Sequence, residues 1–562
     1  MKLHHPRHLE ALTPELTFNR TAKPLPRAMQ RGDVFDYVIV GAGAAGSVLA
    51  ARLSEDPSNR VLLLEYGGHD WNPIIYVPKG FFFTLRGKRY TYHYSTQPAG
   101  PDGQVELWTR GKGLGGSTAV NGMMWLRGAA ADWDGLAERG NPAFSWEHAL
   151  GAYRTMEDHS LGASDMRGAG GPLGVSVVES DDELVRGILA SAQAVGWERV
   201  ADANASDGER IGFTPSTITH GRRNSGYSAF VHPIRRRPNL TVATGTRASR
   251  LLFDGDRAVG VRASKGAQTI DYRARKEVIL SAGTIETPLL LERSGIGHPD
   301  VLRGAGVDVR VESPNVGERI LEQRGVSIQV RLKGDIGATQ LINTLPKQAW
   351  EGFKYLFTHS GPIAASAYDV VSQFKSSPDL DRPDIQGVFV PLALDRSSPD
   401  LKLAEHSGVL LEAYQMRPTT PSSVHLGGRL PDNAPIINSH FLEDDADREA
   451  TAPVLGIARE LFARSPLADY VIDEDFPGPA VSSPDEVLRY AMDTGAGIFH
   501  AVGACAMGPE SDDVVDPQLR VRGVDGLRVV DASVLPVQVA GNTQAPTMAT
   551  AWIAADLILN GQ

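Results

Sequence analysis

A histidine stands in a run of small and apolar residues near the end of the sequence, 498-IFHAVGACAMG-508. A neutral imidazole can take the proton of a substrate hydroxyl, so His500 is a candidate general base. The run has no acidic neighbour and no metal-ligand spacing, and we predict no metal site. Taken alone, these surroundings favour a core histidine whose ring nitrogens bond to the backbone. The rest of the chain has to decide between the two interpretations.

A glycine-rich turn follows a β-branched run in 35-FDYVIVGAGAAGSVLAARL-53. In a dinucleotide-binding unit, Gly41 would permit the tight turn, Gly43 would let the backbone approach a pyrophosphate, and Gly46 would let helix and strand pack closely. The N–H groups at the start of the helix would face the phosphates, and the small residues there are Ala44 and Ala45.

An acidic residue ends the next apolar run, 61-VLLLEYGG-68. Glu65 is placed to accept hydrogen bonds from a ribose 2′-OH. Strand, helix, second strand and acid follow in the order that a nucleotide site requires, which disfavours a plain glycine turn. The position at the start of the fold favours FAD over NAD by analogy.

A second glycine cluster occurs at 110-RGKGLGGSTAVNGMMWLRG-128. Backbone without side chains permits close approach to a planar or anionic group. Gly116, Ser117 and Asn121 are candidate ligand contacts, because hydroxyls and amides supply donors. The alternative is a surface turn, but the apolar residues that follow indicate burial.

Composition narrows the class of protein. The 562 residues are 42% hydrophobic and carry a formal net charge of -11, which favours neither nucleic acid nor an anionic membrane as a partner. No segment is apolar for long enough to predict a membrane span. The single cysteine, Cys505, excludes an internal disulfide and is compatible with a cytoplasmic location, which we predict. Residues 1–34 are predicted to form an N-terminal arm.

Three stretches together resemble the glucose–methanol–choline (GMC) flavoprotein oxidoreductases, and the motifs are closest to the members that are aryl-alcohol or hydroxymethylfurfural oxidases. They are the glycine unit with Glu65, the segment 111-GKGLGGSTAVNGMMW-125 and the segment 283-GTIETPLLLERSGIG-297. The resemblance implies an α/β fold, in which a Rossmann-type FAD-binding domain is interleaved with a smaller α+β substrate-binding domain. The FAD domain would comprise residues 35–150, 205–320 and 500–562, and the substrate domain 151–204 and 321–499.

The resemblance also implies roles for single residues. His500 matches the position of the family's catalytic base, and Asn542 in AGNTQAP matches a second active-site position, where its amide would hold the substrate oxygen. The alternative for Asn542 is a helix N-cap. Further cofactor contacts implied in the same way are Gly122, Met123, Met124, Ala248, Phe499, Asp531, Ala532, Thr543 and Gln544.

Two departures from the family pattern bear on these expectations. Val120 stands where covalently flavinylated relatives have histidine, so we predict non-covalent FAD. The loop 315-NVGERILEQR-324 differs from the family's phrase at Ile320 and Gln323, and no site residue is predicted from it.

The predicted function is oxidation of a primary alcohol, aromatic or furanic, by hydride transfer to flavin N5. Oxygen or another acceptor would reoxidise the flavin. Tyr92, Tyr94 and Phe499 are predicted to line the substrate pocket, although core packing explains the tyrosines equally well. The alternatives are a hydroxynitrile lyase with non-redox FAD and a choline- or carbohydrate-oxidising enzyme. A base near its ordinary pKa predicts activity that rises with pH through one ionisation.

Overall fold

The computed structural model describes residues 34–366, 368–396 and 402–561. The predicted N-terminal arm lies outside these residues except for Val34, which is the first residue of a strand.

The first of two large sheets is built around the glycine-rich turn. Its central strands are apolar on both faces, as expected for parallel strands covered on both sides. Seven described strands form this sheet, in the order Leu240–Ala243, Val61–Leu64, Val34–Val40, Gln268–Leu280, Arg257–Lys265 and Arg247–Asp254, with Leu527–Val529 paired to Gln268–Leu280. The first four strands and Leu527–Val529 run parallel, and the last two pair antiparallel.

Helices cover this first sheet. The helix after the glycine turn, Ala44–Leu53, packs against the C-terminal helix Gln544–Leu559. The other helices of this part of the chain are Phe81–Thr84, Ala130–Glu138, Trp146–Met156, Gly283–Arg293 and Pro299–Gly304. One continuous apolar core joins the sheet to both helices, which explains how the two ends of the chain meet at one site.

The second sheet also has seven described strands. In spatial order they are Val471–Phe476, Gly325–Leu332, Gly408–Gln415, Ile385–Val390, Val370–Phe374, Arg210–Phe213 and Glu198–Arg199. Neighbours pair antiparallel, apart from the last two. A second apolar core lies behind this sheet. Its helices are Glu183–Ala194, Thr339–Ile342, Leu345–Thr358, Asp445–Thr451, Val454–Phe462 and Pro484–Thr494.

Short strands connect these layers. Thr91–Ser95 and Leu107–Gly111 form a hairpin, and Glu157–His159, Leu173–Val177 and Pro215–Ser216 form a three-stranded sheet. The remaining pairs are Ile218–Thr219 with Arg222–Arg223, Ile296–Gly297 with Val311–Glu312, Leu394–Asp395 with Lys402–Leu403, and Ser423–His425 with Ile436–Asn438.

The architecture confirms the predicted fold class, a nucleotide-binding domain completed late in the chain and interleaved with a second domain. One strand differs from the predicted domain bounds. Arg210–Phe213 was placed in the FAD domain, but it pairs with Val370–Phe374 in the second sheet. The pairing joins segments more than a hundred residues apart, so no local pattern indicates it. The remaining domain bounds stay predictions.

Candidate active site

The glycine turn has the geometry of a phosphate cradle. Gly41 has a φ of +105°, and a Cβ there would lie 2.3 Å from the Ser281 carbonyl oxygen. A Cβ on Gly46 would lie 1.9 Å from the Gly41 carbonyl oxygen, so Gly46 serves the close packing of helix on strand. A Cβ on Gly43 would meet only the Gly116 Cα, at 4.0 Å. Protein contacts therefore do not require glycine at position 43, whereas a ligand at the start of the helix would.

Glu65 follows the second strand and faces the same space. Its Oε2 accepts from the Ala42 N–H at 3.0 Å, and its Oε1 accepts from the Gly67 and Gly113 N–H groups at 2.7 Å and 3.1 Å. A carboxylate has about four acceptor positions, so Oε2 keeps one for a ribose hydroxyl. Burial raises the pKa of Glu65, and the three backbone N–H groups oppose that shift.

The second glycine cluster packs directly onto the first. A Cβ on Gly116, whose φ is +53°, would lie 2.7 Å from the Gly43 Cα. Asn121 is fixed from both sides, since its amide donates to Gln544 Oε1 at 2.5 Å and its Oδ1 accepts from Arg223 at 2.8 Å. The cluster therefore packs into the wall of the cavity and is not a surface turn.

A late turn closes the nucleotide half of the site. Asp531 Oδ2 accepts from the Gly283 N–H at 2.8 Å and from the Thr287 hydroxyl at 2.6 Å. Both partners lie in the first turns of the helix Gly283–Arg293, which also borders the cavity. Asp531 thus positions this helix at the predicted nucleotide site.

One continuous cavity of about 370 Å³ runs from the glycine turn to His500. Every predicted site residue except Gly46 lines it: Gly41, Gly43, Ala44, Ala45, Glu65, Tyr92, Tyr94, Gly116, Ser117, Asn121, Gly122, Met123, Met124, Ala248, Phe499, His500, Asp531, Ala532, Asn542, Thr543 and Gln544. The structure therefore brings together residues that are more than five hundred positions apart in sequence, from Gly41 to Gln544. Their individual roles stay predictions.

His500 lies at the far end of the cavity, between two carboxamides. The Asn542 Nδ2 lies 3.0 Å from His500 Nε2, and Gln323 Oε1 lies 2.7 Å from His500 Nδ1. The N-cap of the C-terminal helix is Thr543, so the alternative role of Asn542 as the cap does not apply. The ring of Tyr414 packs edge-on against the imidazole, with 5.9 Å between centroids.

The hydrogen bonds through this site run in one direction. They begin at a guanidinium, which can only donate, and end at a backbone carbonyl, which can only accept. In order they join Arg210, Gln373, Gln386, Asn542, His500, Gln323 and the Met416 carbonyl oxygen.

The two ends of this chain of bonds fix the tautomer of His500. Because Gln323 donates its N–H to the Met416 carbonyl, its oxygen must accept from the imidazole, so Nδ1 carries the hydrogen. Because Asn542 receives a bond on its oxygen from Gln386, its N–H faces Nε2. Nε2 therefore carries the lone pair, which accepts from the Asn542 N–H at the end of the cavity and is the one that a general base would use.

The backbone of His500 is held by a buried carboxylate. Glu322 accepts from the N–H groups of His500 and Ala501 at 2.8 Å and 2.9 Å, and Arg110 donates to it at 3.3 Å. Burial, followed by the nearby Arg110 charge, lowers the pKa of His500 to about 3. The expectation of a base near its ordinary pKa is therefore wrong, and the imidazole is neutral over the physiological range.

Gln323 and Glu322 correct the sequence interpretation, which took no site residue from the loop 315–324. Leu321 and Val502 form an antiparallel bridge, and the Ile498 N–H donates to the Gln323 carbonyl oxygen at 3.1 Å. This pairing places the loop beside His500. The signal in the sequence is the amide at position 323, which differs from the residue in the family's phrase.

Aromatic residues surround the remainder of the cavity. Phe499 has a φ of +65° and stays 47% exposed, with the Arg110 guanidinium 5.9 Å from its ring centroid. Tyr92 and Tyr94 stack at 5.6 Å, and the Tyr94 hydroxyl donates to Glu286 at 2.9 Å. Both tyrosines line the cavity, so core packing and cavity lining both apply to them.

The second sheet supplies a cavity wall that sequence reasoning missed. The sheet contributes Val388, Glu412 and Tyr414, and Tyr368 before the strand Val370–Phe374 and Ile498 from the His500 segment complete this wall. The available signal was the run 408-GVLLEAYQ-415, in which Glu412 interrupts an apolar strand.

Val120 and Cys505 offer no covalent chemistry in this arrangement. Val120 lines the cavity with an aliphatic side chain that packs against Ile75 and Ala119. Cys505 is fully buried, and burial raises the pKa of its thiol, which makes it an inert core residue.

The chain belongs to the GMC oxidoreductase family of FAD-dependent enzymes. Residues 35–323 match the family's N-terminal model and residues 418–551 its C-terminal model, both described as GMC oxidoreductase. Human mitochondrial choline dehydrogenase is 36% identical over 545 residues, covering 94% of this chain and 90% of the relative. The alcohol dehydrogenase [acceptor] of Pseudomonas putida is 33% identical, covering 94% and 96%. The crystal structure of pyridoxine 4-oxidase from Mesorbium loti superposes with a TM-score of 0.85 at 29% identity, covering 94% and 99%.

The membership confirms an FAD-dependent oxidoreductase, and the cradle at Gly43 and the free acceptor position of Glu65 fit that cofactor. Within the described chain, no helix has the length and apolar character to cross a membrane. No group of three or more metal-binding side chains occurs among the same residues.

Proposed function

We propose that this enzyme oxidises a primary alcohol to its aldehyde, with His500 as the general base. FAD supplies the acceptor for the hydride, at flavin N5. The observation that carries the proposal is the lone pair of His500 Nε2, fixed by Gln323 and Asn542 at the end of the cavity that begins at the nucleotide motif.

His500 and Asn542 have different roles towards the substrate hydroxyl group. Nε2 has one lone pair, so a substrate hydroxyl that donates to it takes the place of the Asn542 N–H. That N–H is then free to donate to the substrate oxygen and to hold it while charge develops. Gln386 keeps the amide of Asn542 in this orientation, because it donates to Oδ1 at 3.1 Å.

The low pKa of His500 bears on whether the hydroxyl proton leaves before the hydride or together with it. Burial and the Arg110 charge lower the pKa of His500, which makes its imidazole a weak base towards a hydroxyl that has not begun to lose its hydride. Proton transfer to Nε2 therefore accompanies loss of the hydride from carbon.

Aromatic or furanic alcohols are the first candidate substrates. Tyr92, Tyr94, Phe499, Tyr368 and Tyr414 all line the cavity, and aromatic side chains favour contact with a planar ring. The second candidate is a choline-like alcohol, supported by the human relative named choline dehydrogenase. The relatives described above are named dehydrogenases or an oxidase, so they give no support to a hydroxynitrile lyase.

We further propose that FAD is held without a covalent bond and that the enzyme resides in the cytoplasm. Val120 supports the first proposal, because it offers no nucleophile. The single cysteine is compatible with the second. Either oxygen or another electron acceptor can reoxidise the reduced flavin.

The test is anaerobic bleaching of the flavin by a panel of primary alcohols, followed by admission of air. The proposal requires at least one alcohol to bleach the flavin. Rapid recovery of colour in air would identify an oxidase, and slow recovery a dehydrogenase. A flavin that no alcohol reduces would contradict the proposed activity.

A further inference from the structure

A histidine outside the cavity lies buried between two glutamates. His425 ends the short strand Ser423–His425 and is 8% exposed. Its Nδ1 lies 2.7 Å from Glu292 Oε1, and its Nε2 lies 2.9 Å from Glu318 Oε1. An ionised carboxylate can only accept, and a neutral imidazole has a single N–H, so the two contacts together require the imidazolium. His425 therefore carries a positive charge that no step of the proposed reaction uses.

The two carboxylates belong to different parts of the site. Glu292 lies in the helix Gly283–Arg293, which borders the cavity at the nucleotide motif, and its side chain has no solvent exposure. Glu318 lies in the loop 315–324, which also carries the two side chains that hold the base. His425 thus joins the helix at the nucleotide motif to the loop behind the base.

The backbone of the loop lies directly on the histidine. Gly317 has a φ of +81°, and a Cβ there would lie 3.0 Å from His425 Nδ1 and 2.1 Å from the Val424 carbonyl oxygen. The Gly317 carbonyl oxygen accepts from the Val424 N–H at 2.8 Å. Further along the loop, Ile320 exchanges two backbone hydrogen bonds with Ser422, at 2.9 Å and 2.7 Å. A shift of the strand that carries His425 would therefore move the loop that supports the base.

The charges around His425 favour its protonated form. Burial lowers the pKa of His425, but the hydrogen bonds and charges of Glu292 and Glu318 outweigh burial and raise the pKa to about 9. The strand paired with that of His425, Ile436–Asn438, adds no titratable side chain. Deprotonation would leave the fully buried Glu292 without the cation that donates to it, so the cluster loosens as the pH rises through about 9. The titratable groups of the other packed elements act on the two glutamates, and they are Arg293 and Cys505 near Glu292 and His298 near Glu318.

We propose that His425 is a positioning residue for the base, because its imidazolium holds the loop 315–324 against the helix Gly283–Arg293. The inference rests on the proposed alcohol oxidation, since it assigns a role in the same reaction. The loop carries Gln323, whose oxygen accepts from Nδ1 of His500. When His425 loses its proton, one end of the loop is released, this acceptor moves, and the base loses its orientation. Flavin reduction then fails on the alkaline side.

The test is anaerobic flavin reduction from neutral to strongly alkaline pH. In the normal enzyme the rate constant should fall by about twofold to thirtyfold as the pH rises through about 9. Glu318→Gln should move this fall to lower pH, because one of the two carboxylates that retain the proton is lost. His425→Arg should abolish the fall, because a guanidinium stays charged and can donate to both carboxylates. A normal enzyme without the fall, or a fall at an unchanged pH in either variant, would overturn the proposal.

Glu443→Gln is the matched control. Glu443 Oε1 lies 2.7 Å from His440 Nδ1, so it is also a glutamate paired with a histidine. Both side chains of this pair are exposed, so deprotonation there leaves no buried charge without a partner. The variant should keep the fall at the pH of the normal enzyme. An equal shift in Glu443→Gln would assign the effect to surface charge and contradict a specific role for His425.

Thermal unfolding of the holoenzyme separates this inference from the proposed activity. A histidine with a raised folded-state pKa stabilises the fold fully below its ordinary pKa of 6.5, and the stabilisation is lost as the pH rises through about 9. The melting temperature of the normal enzyme should therefore drop relative to that of His425→Arg across this range. Glu318→Gln should show the drop at lower pH, and it decides the matter if His425→Arg does not fold. A melting difference that is independent of pH would refute the charged cluster even if alcohols are oxidised. A flavin that no alcohol reduces would refute the activity, while this titration still decides the cluster.

Discussion

The imidazole Nδ1 of His500 donates to the carboxamide oxygen of Gln323 at 2.7 Å, across a separation of 177 residues in sequence. A carboxamide at this position fixes the tautomer without adding charge. A carboxylate would also stabilise the imidazolium and raise the pKa of His500. Gln323 therefore keeps His500 neutral and fixes the orientation of its ring.

Removing the acceptor at position 323 should slow flavin reduction. In Gln323→Leu the Nδ1–H loses its partner in a buried site, which costs about 1–3 kcal/mol. If this loss falls on the transition state, the rate constant decreases by about tenfold to a hundredfold. Anaerobic stopped-flow reduction measures it. A normal rate would show that Gln323 does not orient the base.

Gln323→Glu distinguishes an electrostatic role of position 323 from a purely structural one, because only the electrostatic role changes the pH profile of flavin reduction. The carboxylate should raise the pKa of His500, so the imidazolium would persist to higher pH and reduction would fail earlier on acidification. The pH profile of the variant should shift to higher pH relative to the normal enzyme. A profile that coincides with the normal one would contradict this electrostatic role.

The normal enzyme should show no ionisation of His500 in flavin reduction from about pH 5 to about pH 8. Burial and the Arg110 charge lower the pKa of His500 to about 3, so the active neutral imidazole is lost only as the pH falls towards that value. A rate that rises through an ordinary histidine ionisation, and loses that dependence in His500→Ala, would contradict the electrostatic account.

Glu65→Ala should be purified largely without FAD and should regain activity when FAD is added. The substitution removes the acceptor for a ribose hydroxyl and for three backbone N–H groups. The ratio of flavin to protein absorbance measures occupancy, and circular dichroism checks folding. Glu65→Gln is the matched variant, since it keeps one acceptor oxygen without the charge, and it should retain intermediate occupancy. Full occupancy in Glu65→Ala would refute the ribose contact.

Acid precipitation of the enzyme should leave the yellow colour in the supernatant. The reason is Val120, whose aliphatic side chain faces the cavity where covalent relatives have histidine. Absorbance of supernatant and pellet distinguishes the outcomes. A yellow pellet would establish a covalent bond and contradict the proposed mode of binding.

The nucleotide half of the site was predictable because its constraints are local. The glycines at positions 41, 43 and 46 and the acid at position 65 occur within one strand–helix–strand unit, and each spacing reflects the geometry of that unit. His500 became a candidate through the resemblance of its phrase to a known family. Both motifs can be recognised in the sequence because each is formed by residues that are close together along the chain.

The second half of the site depends on contacts between distant segments. Gln323, Gln386 and Glu412 lie on three strands or loops whose register is set by pairing across the second sheet. Alternation along one strand shows which residues share a face, but not which face borders the cavity. The pKa of His500 was mispredicted for the same reason, since the burial and the Arg110 charge that lower it come from tertiary packing.

The most direct test of the central claim is anaerobic stopped-flow reduction of the flavin in the normal enzyme, His500→Ala and Asn542→Ala, with a substrate from the alcohol panel. A positioned base contributes about 10²–10⁴-fold, so His500→Ala should lose roughly that factor in the rate constant. Asn542→Ala should also be slower but should keep the pH profile of the normal enzyme, because the base remains. Reduction of the flavin by His500→Ala at the normal rate would show that the base lies elsewhere and would contradict the mechanism.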